Sequence, residues 1–475
     1  MNRNYIKGLV LLGVTLSVGF TSCQFVNKYK TPEIDTSNLY RDMASEDTTS
    51  IANIPWREYF TDPYLQALIE EGLANSYDML ITAERVKQAE AALGMARAAY
   101  LPSLGLSATV DHERASAIDP ITKESRSPAK ALKYDGTIYS LGIGATWEID
   151  LWGKLNRQSR AKYAQVLNSY AGKQLVQTSL VAGIANSYYT LLSMDEQLIV
   201  TKQMANLIEE TLQTMTALRD AGELNSASVE QTRAALLNVK VSIPDLESAI
   251  RQLENSLSVT LGRKPGSISR SNFAQQSVSS SLQYGIPAQM LANRPDVKQA
   301  ETSFRSAFEL TNAAQASFYP SLTLNTGSYV GYGATSLSNF FKVENLAASI
   351  IGGLTQPIFA KKQLITQLKV AKADQQAALY TFEKTVLDAG REVSDILFTY
   401  ESSVKKNDLR NNQIEALNKS VDFTRELLLA GEANYLEVIS AQQDLLSAQL
   451  NQVSDKLEQL QASVNLYRAL GGGTR

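Results

Sequence analysis

The sequence predicts a mainly α-helical chain with transmembrane β-strands, built as two tandem copies of one unit. Three observations carry that expectation. Two long runs lack proline, each run contains one Ala-Gly-Glu triplet, and each run begins beside a stretch in which apolar residues alternate with small or polar ones.

The helices follow from the breakers. All 12 prolines lie outside 129–243 and 358–475, and a proline inside a helix costs about 3 kcal/mol or more. Each run can therefore hold a very long helix. From Gly153 to Asp220 the sequence predicts one helix of about 68 residues, roughly 100 Å at 1.5 Å per residue. Lys361 to Ala430 repeats it. Gly222 and Gly431 then supply a left-handed turn between antiparallel helices, and each return helix runs to a Leu-Gly pair, Leu261-Gly262 or Leu470-Gly471.

The return helices carry heptad stripes. Val229, Thr232, Leu236, Val239, Ile243, Leu246, Ile250, Leu253 and Leu257 alternate spacings of three and four, as do Leu436, Ile439, Gln443, Leu446, Leu450, Val453, Leu457, Leu460, Val464 and Tyr467. That is the seam of a coiled coil. Pro244 is expected to kink the first return helix or tighten one turn.

The strands are shorter. "YSLGIGATWEID" from Tyr139 places Tyr, Leu, Ile, Ala, Trp and Ile on one face and Ser, Gly, Gly, Thr, Glu and Asp on the other, and "SLGLSATVD" from Ser103 also alternates. Lipid on one face and water on the other fits a transmembrane β-barrel; a soluble half-buried hairpin uses the same pattern. Weaker strands are expected over 321–332 and 346–357. Four strands cannot close a barrel, so several chains must contribute. Trp147 and Trp152 flank the strand-to-helix junction, where interfacial aromatics are expected.

Two repeat markers precede the strands. "VKQAE" occurs from Val86 and again from Val297, in segments that end at Pro102-Ser-Leu and Pro320-Ser-Leu. Matching the "VKQAE" copies makes the second helix seven residues longer, two turns that leave its buried face unrotated.

The N-terminus has its own logic. Arg3 and Lys7 precede an apolar run from Gly8 to Phe20, and small residues then lead to Cys23. That is a secretory signal, too short to span a membrane as a helix. Its end resembles a lipobox, with Phe20 where Leu is commoner, and Cys23, the only cysteine, stands where the lipid is attached. Gln24, rather than Asp, points by the lipoprotein sorting preference to the outer membrane.

Charge and chemistry narrow the function classes. A formal net charge of -3, with acids and bases interspersed, offers no surface for nucleic acid. The single histidine, His112, expected in an extracellular loop, cannot build a His-based metal site. No phosphate loop or nucleophile elbow is present. No catalysis, cofactor or metal is expected.

Together, Cys23, "KYKTP" from Lys28, "WEIDLWGK" from Trp147, "NRPDVKQAE" from Asn293, "ASFYPSL" from Ala316 and the paired Ala-Gly-Glu tips resemble the TolC-like outer-membrane factors of bacterial efflux systems, in their lipoprotein branch. The resemblance implies a homotrimer whose strands make a 12-stranded barrel, continued by a periplasmic α-barrel. It also implies passive conduction from a periplasmic adaptor and an inner-membrane pump of RND type to the exterior. The hairpin tips, Gly222 and Glu223 to Ser228 with Gly431 and Glu432 to Leu436, become the adaptor-docking candidates. The tunnel gate falls on Leu436, Glu437 and Ser440; the acid expected at the last position is absent, and Leu428 stands where a tyrosine is often found. The implied organisation is a signal over 1–22, an extended segment over 23–60, a first repeat over 61–262, an equatorial connector over 263–293 and a second repeat over 294–475. A lipid-anchored coiled-coil spacer would share the signal, heptads and length; paired strands are what such a spacer does not need.

Overall fold

The computed structural model describes residues 28–41, 50–113, 136–277, 292–326 and 330–474. The expected signal and Cys23 lie outside the described residues. Among them the chain forms α1 (Pro63–Asn75), α2 (Tyr77–Ala98), β1 (Ser103–Glu113), β2 (Gly136–Ile149), α3 (Lys154–Asp220) and α4 (Ser226–Thr260). The second half follows with α5 (Pro295–Ala316), β3 (Ser321–Asn325), β4 (Val330–Ala334), β5 (Leu346–Ala347), β6 (Ile351–Thr355), α6 (Gln363–Leu429) and α7 (Tyr435–Ala469). Two compact units emerge. One comprises Met1–Pro32, Ala91–Gln165 and Phe304–Ala378 and contains the sheet; the other comprises Glu33–Glu90, Val166–Ser303 and Leu379–Arg475 and contains both hairpin tips.

The repeat is closer than the sequence suggested. α3 and α6 are each 67 residues long, α4 and α7 each 35, and α2 and α5 each 22. The expectation of a longer second helix before the strands is therefore corrected. Val86 sits near the middle of α2 and Val297 in the first turn of α5, so the two "VKQAE" copies are not equivalent. Ala, Glu, Gln and Lys are all good helix formers, and short runs of them recur by composition. The true equivalents are Asn75 and Asn293, each two residues before its helix. Gly262 (φ +77) presses on the first and Gly471 (φ +92) on the second. A Cβ there would lie 2.3 Å from the Asn75 carbonyl oxygen or 2.7 Å from the Asn293 carbonyl carbon. Only glycine fits both the left-handed backbone and the close approach.

In the helical unit, the largest core cluster gathers Phe60, Leu65, Ile69, Tyr188, Leu191, Leu192, Val464 and Tyr467 among others. Burying each large apolar side chain contributes about 1.5–3 kcal/mol. Tyr59 stacks on Tyr467 with ring centroids 4.2 Å apart, and its hydroxyl donates to the Ser463 carbonyl at 2.9 Å. The stripe on α4 is buried or half-buried throughout. That on α7 needs correction at its start: Leu436 and Gln443 are exposed, while Val438, Ala441, Gln442 and Leu445 are buried. The reason is a second neighbour. Near the tips α7 packs on α3 as well as α6, with Val438 against Met215 and Leu428, and Ala441 and Leu445 among Met204, Ala205, Ile208 and Val421.

α4 runs unbroken through Pro244. The lost N–H falls on an exposed stretch, where water can satisfy the half-exposed Lys240 carbonyl that it would have bonded.

The sheet is a meander of four rows. β1 pairs antiparallel with β2 along its whole length, from Ser103 opposite Thr146 to Glu113 opposite Gly136. The other edge of β2 pairs with β3 and β4, and these pair in turn with β6 and β5. Each strand expected in the second repeat is thus split in two. Asn325 faces Thr146 but Val330 faces Ile143, so the register of β2 with β4 is offset by two residues from its register with β3. His112 is in β1, its Nδ1 3.0 Å from the Thr137 hydroxyl, rather than in a loop.

Candidate functional site

The tips are built alike from local rules. Gly222 (φ +84) and Gly431 (φ +73) both take the left-handed conformation. The Gly222 and Glu223 amides donate to the Arg219 and Leu218 carbonyls, and the Gly431 and Glu432 amides donate to Leu428 and Leu427. This is a Schellman-type ending that satisfies the last helix carbonyls. Asn225 then caps α4 by accepting from the Ser228 amide at 3.0 Å, and Asn434 caps α7 by accepting from the Leu436 amide at 3.2 Å. The caps were missed in the sequence reading, although Asn three residues after each tip glycine and next to a heptad run is a start signal.

The two tips adjoin within the chain. Met215, Val229, Leu428 and Val438, one from each long helix, form a common buried cluster. The Tyr435 hydroxyl donates to the Gln231 side chain across the pair. Glu223 and Glu432 stay exposed. Leu436, Glu437 and Ser440 all lie on the exposed side of α7, with Leu436 55% exposed. Glu437 is in the first helical turn, where a negative charge also suits the helix dipole. The structure thus gathers the tip and gate candidates at one end of the hairpins.

In the other unit, the strand register sorts every side chain by face. Leu104, Leu106, Ala108 and Val110 lie opposite Ala145, Ile143, Leu141 and Tyr139. Ile149 and Trp147 face Leu322 and Leu324, and Leu322 faces Leu354. By the period-two alternation one face is apolar across all four rows. The other carries Ser103, Gly105, Ser107, Gly142, Gly144, Thr146, Glu148, Thr323 and Gly353, with Ile138 and Ile351 as its large apolar exceptions. The apolar face is bare: Leu106 is 75% exposed. No described helix is long and apolar enough to cross a membrane.

Both tryptophans sit where the helices give way to strands. The Trp147 indole N–H donates to the Tyr100 carbonyl at 2.8 Å. Trp152 donates to the Pro320 carbonyl at 2.7 Å and stacks on Tyr319 at 5.1 Å. A satisfied polar edge and an exposed ring suit a boundary between apolar and wet surroundings. Among the described residues no group of three or more His, Cys, Asp or Glu is placed to hold a metal ion.

The family model described as "Outer membrane efflux protein" matches residues 68–263 and 286–472. The chain belongs to the outer membrane efflux protein family. The two matched blocks end just past Gly262 and Gly471, the glycines that close the two repeats. This outer membrane efflux protein is 27% identical over 475 residues to "Probable efflux pump outer membrane protein TtgC" of Pseudomonas putida, covering 98% of this chain and 96% of that one. It is 26% identical to "Probable outer membrane lipoprotein SilC" of Salmonella typhimurium, covering 92% of each. The open-state outer membrane channel MtrE of Neisseria gonorrhoeae superposes with a TM-score of 0.81 at 24% identity, over 95% of this chain and 99% of that one; that likeness shows the fold. The protein is an outer-membrane efflux channel component.

Proposed function

We propose that three copies close one barrel of 12 strands, four rows from each, and conduct substrates passively from a periplasmic adaptor and an inner-membrane pump of RND type to the exterior. The observation that carries this reading is the sheet. It has one bare apolar face and one mainly small or polar face, and among the described residues β1 and β6 each pair on one side only. Open sheet edges are not tolerated in lipid, where an unpaired backbone group costs several kcal/mol. Neighbouring copies that pair β1 with β6 remove every edge and point the glycine-rich face at water.

In this reading Cys23 carries the lipid, and the tips around Gly222, Glu223, Gly431 and Glu432 meet the adaptor. Leu436, Glu437 and Ser440 line the tunnel gate, and Trp147 and Trp152 sit at the membrane interface. Reconstitution of purified protein in a planar bilayer tests it. Discrete single-channel steps from an oligomer of three copies are expected, and a preparation that inserts without conducting would overturn it.

A further inference from the structure

The corner between β6 and α6 breaks a rule that its counterpart obeys. The residue before α3 is Gly153, with φ +75; the residue before α6 is Lys362, with φ 64, preceded by Lys361 with φ 47. Among the described residues these are the only adjacent non-glycine positions in the left-handed region. That conformation disfavours any side chain with a Cβ. The first corner takes one left-handed residue, a glycine, whereas the second takes two in succession, and both carry long cationic side chains.

The surroundings of the two corners differ as well. At the first, Lys154 pairs with Glu148 at 2.5 Å and Trp152 is held against Tyr319, so charge and ring are both internally engaged. At the second, Ile358 is 99% and Phe359 84% exposed. Lys361 and Lys362 are exposed and make no ion pair among the described residues. This corner leaves β6 just after Leu354, which belongs to the apolar face. Apolar side chains that continue a membrane face, followed at once by two unpaired cations, match the layering of acyl chain and phosphate in a leaflet.

We propose that the Ile358–Lys362 corner is a binding site for anionic phospholipid, with Ile358 and Phe359 among the acyl chains and the Lys361 and Lys362 ammonium groups on the headgroup phosphate. The two cations occupy successive exposed positions between β6, which carries Leu354 of the apolar face, and the start of α6. The site rests on the reading of the sheet as membrane-embedded.

The test is native mass spectrometry of the full-length protein in detergent, titrated with phosphatidylglycerol or phosphatidylcholine, beside thermal melts. The wild type is expected to prefer phosphatidylglycerol. Lys361→Gly/Lys362→Gly should lose that preference by roughly fivefold per lysine, the factor that about 1 kcal/mol per cation represents, while melting no lower because the strain is relieved. Lys361→Gln/Lys362→Gln should lose the preference without gaining stability. Phosphatidylglycerol binding unchanged in both variants would overturn the site. So would dissociation of the oligomer by either pair, which would assign the lysines to a second copy. Planar-bilayer conductance separates the two readings: a conducting protein without the lipid preference refutes the corner alone, whereas loss of conductance in the wild type refutes the barrel.

Discussion

The side-chain amide of Gln442 on α7 donates to the Thr211 hydroxyl on α3 at 2.8 Å, with Gln442 fully buried. Its Oε1 finds no partner among the described residues. An unpaired buried acceptor costs about 1–3 kcal/mol, and Thr211 would keep its bond to the Leu207 carbonyl without the glutamine. Gln442→Leu should therefore be neutral or raise stability by about 1 kcal/mol in chemical denaturation. A loss above about 1 kcal/mol would show that the amide is better satisfied than its geometry indicates.

Four glycines in left-handed turns should separate into two classes. At Gly222 and Gly431 an added Cβ meets nothing within 4 Å, whereas at Gly262 and Gly471 it would strike the backbone. Gly222→Ala and Gly431→Ala should cost about 1 kcal/mol, the conformational term alone. Gly262→Ala and Gly471→Ala should cost clearly more, read as a larger fall in denaturation midpoint. Gly431→Val should weaken efflux while oligomers persist, and equal midpoints for all four alanine variants would contradict the distinction.

Acid should loosen the network around Asp62. Burial alone pushes its carboxyl up, but hydrogen bonds from Ser271, Tyr188, the Tyr64 amide and Gln276 outweigh that and hold it below the ordinary value. A folded-state pKa below the unfolded one contributes stability that is present above the unfolded value and is lost as pH falls through the folded one. Asp62→Asn should be destabilised at neutral pH by about 1–3 kcal/mol, and its gap from the wild type should close on acidification. Denaturation midpoints at several pH values check this; a constant gap would remove Asp62 from the acid response.

Much of this was legible in the sequence, because glycine, proline and heptad spacing act locally. The bounds of α3 and α6, the left-handed tips and the alternation of β1 and β2 all follow from such signals. Long-range features were not. The equivalence of Asn75 and Asn293 becomes visible only once Gly262 and Gly471 press on them. The burial of Gln442 in place of Gln443 depends on α7 meeting α3 as well as α6. The second-repeat strands looked continuous because a change of register against β2 leaves no mark in composition.

At the gate candidates, three copies of Glu437 around a narrow axis should attract cations. Glu437→Gln is expected to shift the reversal potential in a salt gradient toward lower cation selectivity. Leu436→Ser is expected to raise resting conductance and admit antibiotics that are normally excluded. A reversal potential unchanged by Glu437→Gln would remove that residue from the gate.

The claim that three chains share one barrel is tested most directly by joining the free edges. Single cysteines placed on β1 of one population and β6 of another, in a Cys23→Ala background and scanned over the strand positions, should form intermolecular disulfides at one register. Both cysteines in one chain should then give a covalent trimer and nothing larger, because head-to-tail pairing closes a ring. Cross-links only between like strands, or an open ladder of larger species, would contradict the closed barrel.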